Sequence, residues 1–502
     1  MKHIKISLIV ISMLAFGISG CKRTLDQPVL GFYSPSNFFT TDANAQFAVN
    51  AAYAPLMFTS GTDNPLWVTG DVASDDAIKG GNTGDQADFE SINQFNILPT
   101  NSAVEALWGK NYDGVFKCNV VLDGLTNNSV VSESVRKSSI AQAKFLRAYY
   151  YFVLTTSYGN IPLHLKVETP EELQSPAKPQ DSIYLQIEQD CNDAIADLPD
   201  PSAAVPVGQV TKGSAYALLA KVYLFHADLA NHYQLAAQAA QAVEGFSYYA
   251  LTNLYTDNFN DATKNNTEAV FTVNHLSGGQ PNDLNTFFTP RDDGGYGFFY
   301  PTQDLVNQYE KATTGEVDPR LDYTVGREGV PYYDLGWDPS WTTTGYLCKK
   351  WVQPLSVIPQ NNRGQGDLNY EVIRYSEILL IEAEALNESG QSAAALIPLN
   401  KVRKRARESY LYDQSLTGYG TVPDGLLPDI TTTDQSQLRD AIRQERRVEL
   451  ALEFHRFYDI IRYGENYANT VLKAVSPNFN YSVNKWFPIP QSERDTNKKL
   501  GL

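Results

Sequence analysis

Five ionisable residues near the C-terminus stand at a spacing that could do acid–base chemistry. Glu449, Glu453, Arg456, Asp459 and Arg462 step by 4, 3, 3 and 3, the separations at which side chains meet on one helical face. Two carboxylates so placed could be the acid and nucleophile of a glycosidase. Each, however, has an arginine within one turn, and a guanidinium lowers the pKa that a catalytic acid needs raised. The spacing therefore predicts structural ion pairs. None of the histidines, His3, His164, His226, His232, His275 and His455, belongs to an HExxH motif, and these read as structural. In Gly208-Gln209-Val210-Thr211-Lys212-Gly213-Ser214 the lysine precedes the second glycine, so this is no phosphate loop. No GxSxG elbow is present. Cys118, Cys191 and Cys348 are far apart and form no CxxC; they read as small buried hydrophobes rather than a disulfide framework or zinc site. Asp257, Asn258, Asn260 and Asp261 offer oxygen ligands without the glycine and terminal glutamate of an EF-hand. A structural calcium there is left open; no other metal and no cofactor is expected.

The positive signal is aromatic side chains in polar, glycine-rich surroundings. Sugar rings present apolar C–H faces that stack on Trp and Tyr, while their hydroxyls pair with Asp, Asn, Gln and Arg. Trp67 stands near Asp71, Asp75, Asp76 and Lys79. Tyr296 lies in Arg291-Asp292-Asp293-Gly294-Gly295-Tyr296-Gly297, where glycines let backbone approach a ligand. Trp337 and Trp341 flank Asp338-Pro339-Ser340. The candidate ligand residues are therefore Trp67, Asp71, Asp75, Arg291, Asp293, Tyr296, Trp337 and Trp341. A competing reading makes each aromatic a loop anchor against the core, and that reading is preferred for Tyr300 and Trp351.

These residues need a frame, and the frame reads as helical. In 140–156, Ala143, Leu146, Tyr150 and Val153 recur at 3, 4 and 3. Segment 181–197 opens on Asp181-Ser182, a capping choice, and stops at Leu198-Pro199. Segments 212–228, 233–243, 371–388, 392–407 and 435–463 complete the set, the last being the longest and most charged. They come in pairs, and the second is Ala-rich, as in Ala236-Ala237-Gln238-Ala239-Ala240 and Ala393-Ala394-Ala395. Small residues let two helices approach closely, as in stacked helix-pair repeats. The expected fold is mainly all-α, with tetratricopeptide-like pairs, long irregular stretches at 55–100 and 246–370, and little β structure. Tyr149, Tyr150, Tyr216, Tyr223 and Tyr375 fall on helices and read as packing.

The N-terminus reads as an address. Lys2 and Lys5 precede the apolar run Ile6–Ile18, then Ile18-Ser19-Gly20-Cys21. The run is too short to span a bilayer but suits a secretory signal. Small residues before a cysteine resemble a bacterial lipobox, so residues 1–20 read as signal peptide, Cys21 as the lipidated residue and 21–36 as a tether. The rest, 37–502, reads as one composite domain with parts at about 37–245 and 246–502. Formal net charge is −17 with 30 Tyr, and charged residues are 19 %. Such a chain is globular, and its acidity argues against nucleic acid.

Four blocks in order, with the lipobox, resemble the SusD/RagB family of outer-membrane nutrient-binding lipoproteins of Bacteroidota. The blocks are Ala143–Phe152 with Tyr158–Leu163; Thr211–Leu224; Arg374–Glu388 with Leu399-Asn400-Lys401-Val402-Arg403; and Ile442–Leu450 with Glu453, His455-Arg456-Phe457, Asp459 and Arg462. Pro488-Ile489-Pro490 and Asn497 also fit. The resemblance covers nearly the whole chain. It implies a non-catalytic surface lipoprotein of the outer membrane that captures oligosaccharides and passes them to a SusC-like TonB-dependent transporter. In some branches the ligand is a peptide. One departure stands out: Cys21 is followed by Lys22-Arg23-Thr24-Leu25-Asp26, whereas surface-exported members often carry acidic residues there. The rival readings are a peptide or other nutrient binder, a glycoside hydrolase and a purely structural helical scaffold.

Overall fold

A computed structural model describes residues 38–501. The signal peptide, Cys21 and the tether lie outside the described residues. The helices are α1 (Asp42–Tyr53), α2 (Ser102–Leu125), α3 (Glu133–Tyr158), α4 (Gln180–Asp197), α5 (Lys212–Phe225), α6 (His232–Gly245), α7 (Tyr375–Glu388), α8 (Ser392–Tyr412), α9 (Gln435–Glu449) and α10 (Arg456–Arg462), with shorter helical turns between them. The strands are β1 (Ala77–Gly80), β2 (Ala269–Val273), β3 (Phe298–Pro301), β4 (Val325–Arg327), β5 (Tyr346–Cys348) and β6 (Tyr370–Arg374), forming three antiparallel pairs, β1–β3, β2–β6 and β4–β5. The fold is mainly α-helical with tetratricopeptide-like pairs, as the sequence predicts.

From α2 to α8 each helix packs on the next, and α9 packs on α7. The stack passes from α6 to α7 although residues 246–374 intervene in sequence. That intervening layer, with residues 55–100, covers one face of the stack. The periodic residues Ala143, Leu146, Tyr150 and Val153 are all buried, as 3.6-residue spacing requires. Ala236, Ala237, Ala239 and Ala240 are buried where α6 meets α5 and α7, the close approach that small side chains permit. At the start of α5, Thr211 and Ser214 form a reciprocal capping box.

Three element boundaries differ from the sequence reading. Residues Tyr370–Arg374 are strand rather than the first turn of a helix; they pair with β2 and are buried on both faces, so their apolar run carries no helical period. Helix α4 begins at Gln180 after Pro179 and has no side-chain cap. Asp181 instead meets His226 Nε2 at 2.8 Å. The charged segment 435–463 is two helices, broken at 450–455, where Leu452 and Phe454 have φ of 62° and 70°. Glu449 and Glu453 thus leave the face they would share with Asp459.

The break lies over a buried charge network. Glu449, wholly buried at the end of α9, accepts from Arg320, Arg374 and Arg405. Arg374 also grips Glu453 through Nε at 2.8 Å and Nη2 at 2.9 Å, and Lys350 donates to the same carboxylate at 2.6 Å. Arg320 reaches Asp318 at 2.7 Å and Glu445 at 2.5 Å; Glu445 continues to Arg403 at 2.9 Å. Arg405 also pairs with Glu268. Burial opposes ionisation of Glu449, but Arg405, Arg374 and Arg320 overcome it and hold the carboxyl well below the usual range. The predicted ion pairing is present, with partners drawn chiefly from distant segments.

Removing one member of a buried pair strands the other, so Glu449→Ala is expected to destabilise by about 3–5 kcal/mol in urea unfolding; a loss under about 1 kcal/mol would contradict the assigned role. Asp459, on α10, is buried, which raises its pKa, but Arg446 and Arg462 outweigh that and bring it to about 2. A carboxyl whose pKa is depressed on folding stabilises above its unfolded value and loses that contribution as pH falls through the folded one. The cost of Asp459→Asn, measured by denaturant unfolding, should therefore shrink between about pH 4 and pH 2; a pH-independent cost would refute it.

A candidate ligand-binding face

The eight candidate residues divide into a buried set and a surface set. Trp67 is fully buried, and its Nε1 donates to the Gly61 carbonyl at 2.8 Å. Phe89, Phe288 and Phe299 surround it at ring-centre distances of 5.3, 5.3 and 5.6 Å. It offers no ring face to a ligand and is a core anchor, because the segment carrying it runs beneath the covering loops. Asp71 and Asp75 follow it inward. The Asp71 carboxylate accepts from the backbone N–H of Phe454 at 2.8 Å and of Arg456 at 3.2 Å. Burial pushes its carboxyl well above the usual range. Burial also opposes ionisation of Asp75, but Arg456 and Arg447 prevail and hold it below its ordinary value; Arg456 grips it with two bonds of 2.8 and 2.9 Å. Asp76 takes Arg447 Nε at 2.8 Å. These acids position the break at 450–455 and are fully engaged.

Arg291, Asp293, Tyr296, Trp337 and Trp341 reach the outside. Tyr296 is 46 % exposed, its ring standing edge-on against Phe287 at 5.2 Å. Trp337 and Trp341 are half-buried and meet edge-to-face with centres 6.2 Å apart. Strand β3 links the two loops. Tyr300 on that strand donates its hydroxyl to the Trp341 carbonyl at 2.8 Å, which fits the packing role read for it. Its hydroxyl also lies 3.1 Å from where a Cβ on Gly297 would stand. Wholly buried Trp351 likewise packs, stacking on Phe454 at 5.1 Å.

The Arg291 loop is held by its neighbours. Gly294 has φ 85°, and a Cβ there would stand 2.3 Å from the Gln360 carbonyl, so the turn requires glycine. Gln360 Nε2 donates back to the Asp292 carbonyl at 2.5 Å. Arg363 Nε donates to the Asp293 carbonyl at 3.2 Å. Asp293 Oδ2 is buried and has no hydrogen-bond partner among the described residues, and burial raises its pKa from the ordinary value.

One contributing segment escaped the sequence reading. The loop after β1, Gly80-Gly81-Asn82-Thr83-Gly84-Asp85-Gln86, sits beside the Arg291 loop. Gly81 N–H donates to the Gly297 carbonyl at 2.6 Å, and Asp85 forms an ion pair with Arg291. The glycine density that flagged residues 291–297 was equally present there. Lys79 is buried under this loop, its ammonium donating to the Asn82 and Asp85 carbonyls at 3.3 and 2.6 Å.

Two deeper grooves lie on the helical side. One, of about 610 Å³, is lined by Trp108, Tyr112, Phe116, His164 and Leu173. Its chief polar groups are spent internally: Tyr112 donates to the Pro162 carbonyl, His164 pairs with Glu168, and Asn119 bridges the His164 and Lys166 carbonyls to Arg147. Such a groove suits apolar groups rather than hydroxyls. The other lies between α1, α3 and residues 206–209.

Asp257 and Asn260 serve as local turn acceptors, the Asp257 carbonyl from Thr263 and Asn260 Oδ1 from the Ala262 N–H. Among the described residues no group of three His, Cys, Asp or Glu is placed to hold a metal ion. Cys118, Cys191 and Cys348 are buried and free, and burial pushes all three thiols up.

Comparison with known proteins agrees with this architecture. The SusD family profile matches residues 257–501, and a profile described as "Starch-binding associating with outer membrane" matches residues 36–224. SusD-like protein P2 of Formosa agariphila is 30 % identical, the alignment covering 100 % of this chain and 99 % of the relative. Among solved structures, a laminarin-binding SusD-like protein is similar at 28 % identity and TM-score 0.74, covering 92 % of this chain and 99 % of its own. Surface glycan-binding protein A from Bacteroides thetaiotaomicron, solved with laminarihexaose, is similar at 26 % identity and TM-score 0.74, with 92 % and 98 % covered. With two profiles matched in order and a relative aligned end to end, the chain belongs to the SusD family.

Proposed function

We propose that this chain is a non-catalytic glycan-capture protein whose ligand lies across the open face of Tyr296, Trp337 and Trp341. The carrying observation is that Tyr296 is exposed on buried Phe287, while half-buried Trp341 packs on buried Tyr332 and carries Trp337 beside it. Rings fixed edge-to-face against their neighbours keep a free face at little conformational cost. Asp293, Asp292 and the 81–86 loop supply hydroxyl partners beside them. The face is open rather than enclosed, which suits a long chain that must be passed on.

The charge pattern favours a neutral glycan. Arg291 is neutralised by Asp85, and Lys79 is spent on backbone carbonyls. A uronate or sulfate would meet carboxylates on this face without an unpaired cation from either residue. The similarity to a laminarin-binding protein and to one holding laminarihexaose supports a neutral glucan as first probe. Catalysis is disfavoured because Glu449, Glu453 and Asp459 are buried in ion pairs that keep them charged. Cys21 would anchor the protein in the outer membrane, and a SusC-like TonB-dependent transporter would receive the ligand; family membership and the Ile18–Cys21 lipobox support both.

Calorimetric titration tests the reading. Laminarihexaose and a panel of neutral oligosaccharides should include a ligand bound without release of reducing ends. Trp337→Ala with Trp341→Ala should weaken it at least about tenfold, since each stacked ring contributes about 0.5–1.5 kcal/mol beyond its buried area. Trp67→Ala should instead lower stability by about 3–5 kcal/mol while leaving the affinity of the folded chain unchanged. Unaltered binding in the double variant, binding of peptides alone, or product release would each overturn the proposal.

A further inference from the structure

A second groove on the helical side has a different chemistry from the first. It holds about 470 Å³ between α1, α3, the segment 205–209 and the chain after β2. A further 260 Å³ continues past the same segment toward Tyr248 and Tyr249, sharing Pro206, Val207, Gly208, Gln209 and Thr272. In a chain where charged residues are 19 % of the total, neither part is lined by a single Asp, Glu, Lys, Arg or His.

Most of its polar lining is carboxamide. Gln46 and Asn50 project from α1, Gln142 from α3, Gln209 from the covering segment, and Asn274 and Gln280 from beyond β2. Gln46, Asn50 and Gln280 are exposed and Gln209 half-buried, and among the described residues their side chains have no hydrogen-bond partner. Asn274 Oδ1 accepts from Asn369 at 2.9 Å, while its Nδ2 is buried without an acceptor. Gly208, at φ 82°, makes room for that amide: a Cβ there would stand 2.5 Å from Nδ2. Val49, Leu56 and Val273 form an apolar floor.

A carboxamide both donates and accepts, as a hydroxyl does, and carries no charge. An ionic ligand entering here would lose water and find no counter-ion. An added peptide strand would need the outer edge of β2, but Ser214 at the start of α5 already donates to the Val270 carbonyl at 2.7 Å. We propose that this groove is a second glycan site, taking a neutral, hydroxyl-rich oligosaccharide through its unpaired carboxamides and apolar floor. It shares no lining residue with the aromatic face, so one glycan chain, or two, would be held at separate points, and joined sites raise the overall affinity without new contacts.

Hydrogen–deuterium exchange of the full chain tests this, with laminarihexaose, cellohexaose and maltohexaose as probes and a neutral hexapeptide as comparison. At saturation at least one hexaose should slow exchange at 205–209 and 272–280, in wild type and equally in the Trp337→Ala, Trp341→Ala variant. Asn50→Asp with Gln209→Glu, both at accessible and nearly isosteric positions, should abolish that protection while the thermal midpoint holds. The proposal is overturned if no hexaose protects these segments, if protection disappears with the two tryptophans, or if the hexapeptide alone confers it. Failure of the aromatic face would show separately, as glycan affinity untouched by the tryptophan changes.

Discussion

One carboxylate holds the two layers of this protein together. Glu449 closes α9 and receives guanidinium groups from Arg320, in the irregular layer, from Arg374, at the end of β6, and from Arg405, on α8. Around it Asp318, Glu445, Glu453 and Glu268 face Arg320, Arg374, Arg403, Arg405 and Lys350, and Glu310 closes on Arg403 from the more exposed side. An ion pair buried this deeply is weak evidence for net stability, because an apolar replacement of the same volume can do as well. Its effect here is placement. Each of these groups is costly to bury alone, so the segments that carry them are constrained to one mutual arrangement.

That arrangement sets the proposed ligand face. With α9 ended at Glu449, residues 450–455 turn away from helix and lay Phe454 against Trp351 and beneath Phe58 and Phe299. Asp71 caps the turned backbone, and Asp75 takes Arg456. The aromatic layer containing Trp67 then rests on this floor, with Tyr296 at its outer edge; Trp337 and Trp341 pack by Tyr332 and are tied to β3 through the Tyr300 hydroxyl. A rigid support under exposed rings spares a ligand the cost of ordering them.

The sequence was most legible where side chains repeat with a helical period. Ala143, Leu146, Tyr150 and Val153 marked α3, and the alanine runs marked where helices approach closely. It was least legible where partners are distant. Nothing in the local pattern around Trp67 distinguishes a buried tryptophan beside paired acids from an exposed one beside free acids; Arg456 and Arg447, which decide the matter, lie more than 370 residues away. The 435–463 segment kept its helical period through 450–455, because the break is imposed by tertiary bonds to Asp71 and Trp351. The 81–86 loop was recognisable by the glycine criterion that found residues 291–297, but it lacks an aromatic ring to draw attention. The four family blocks were legible because they code for the scaffold and its charge network.

The proposed capture requires glycan to lie against the rings of Tyr296, Trp337 and Trp341. A crystal structure of the chain with laminarihexaose, or with the neutral oligosaccharide it binds best, tests this most directly. The account predicts sugar rings packed on Trp337, Trp341 or Tyr296, with hydroxyls near Asp293 and the 81–86 loop. A bound chain that leaves all three rings bare would contradict it.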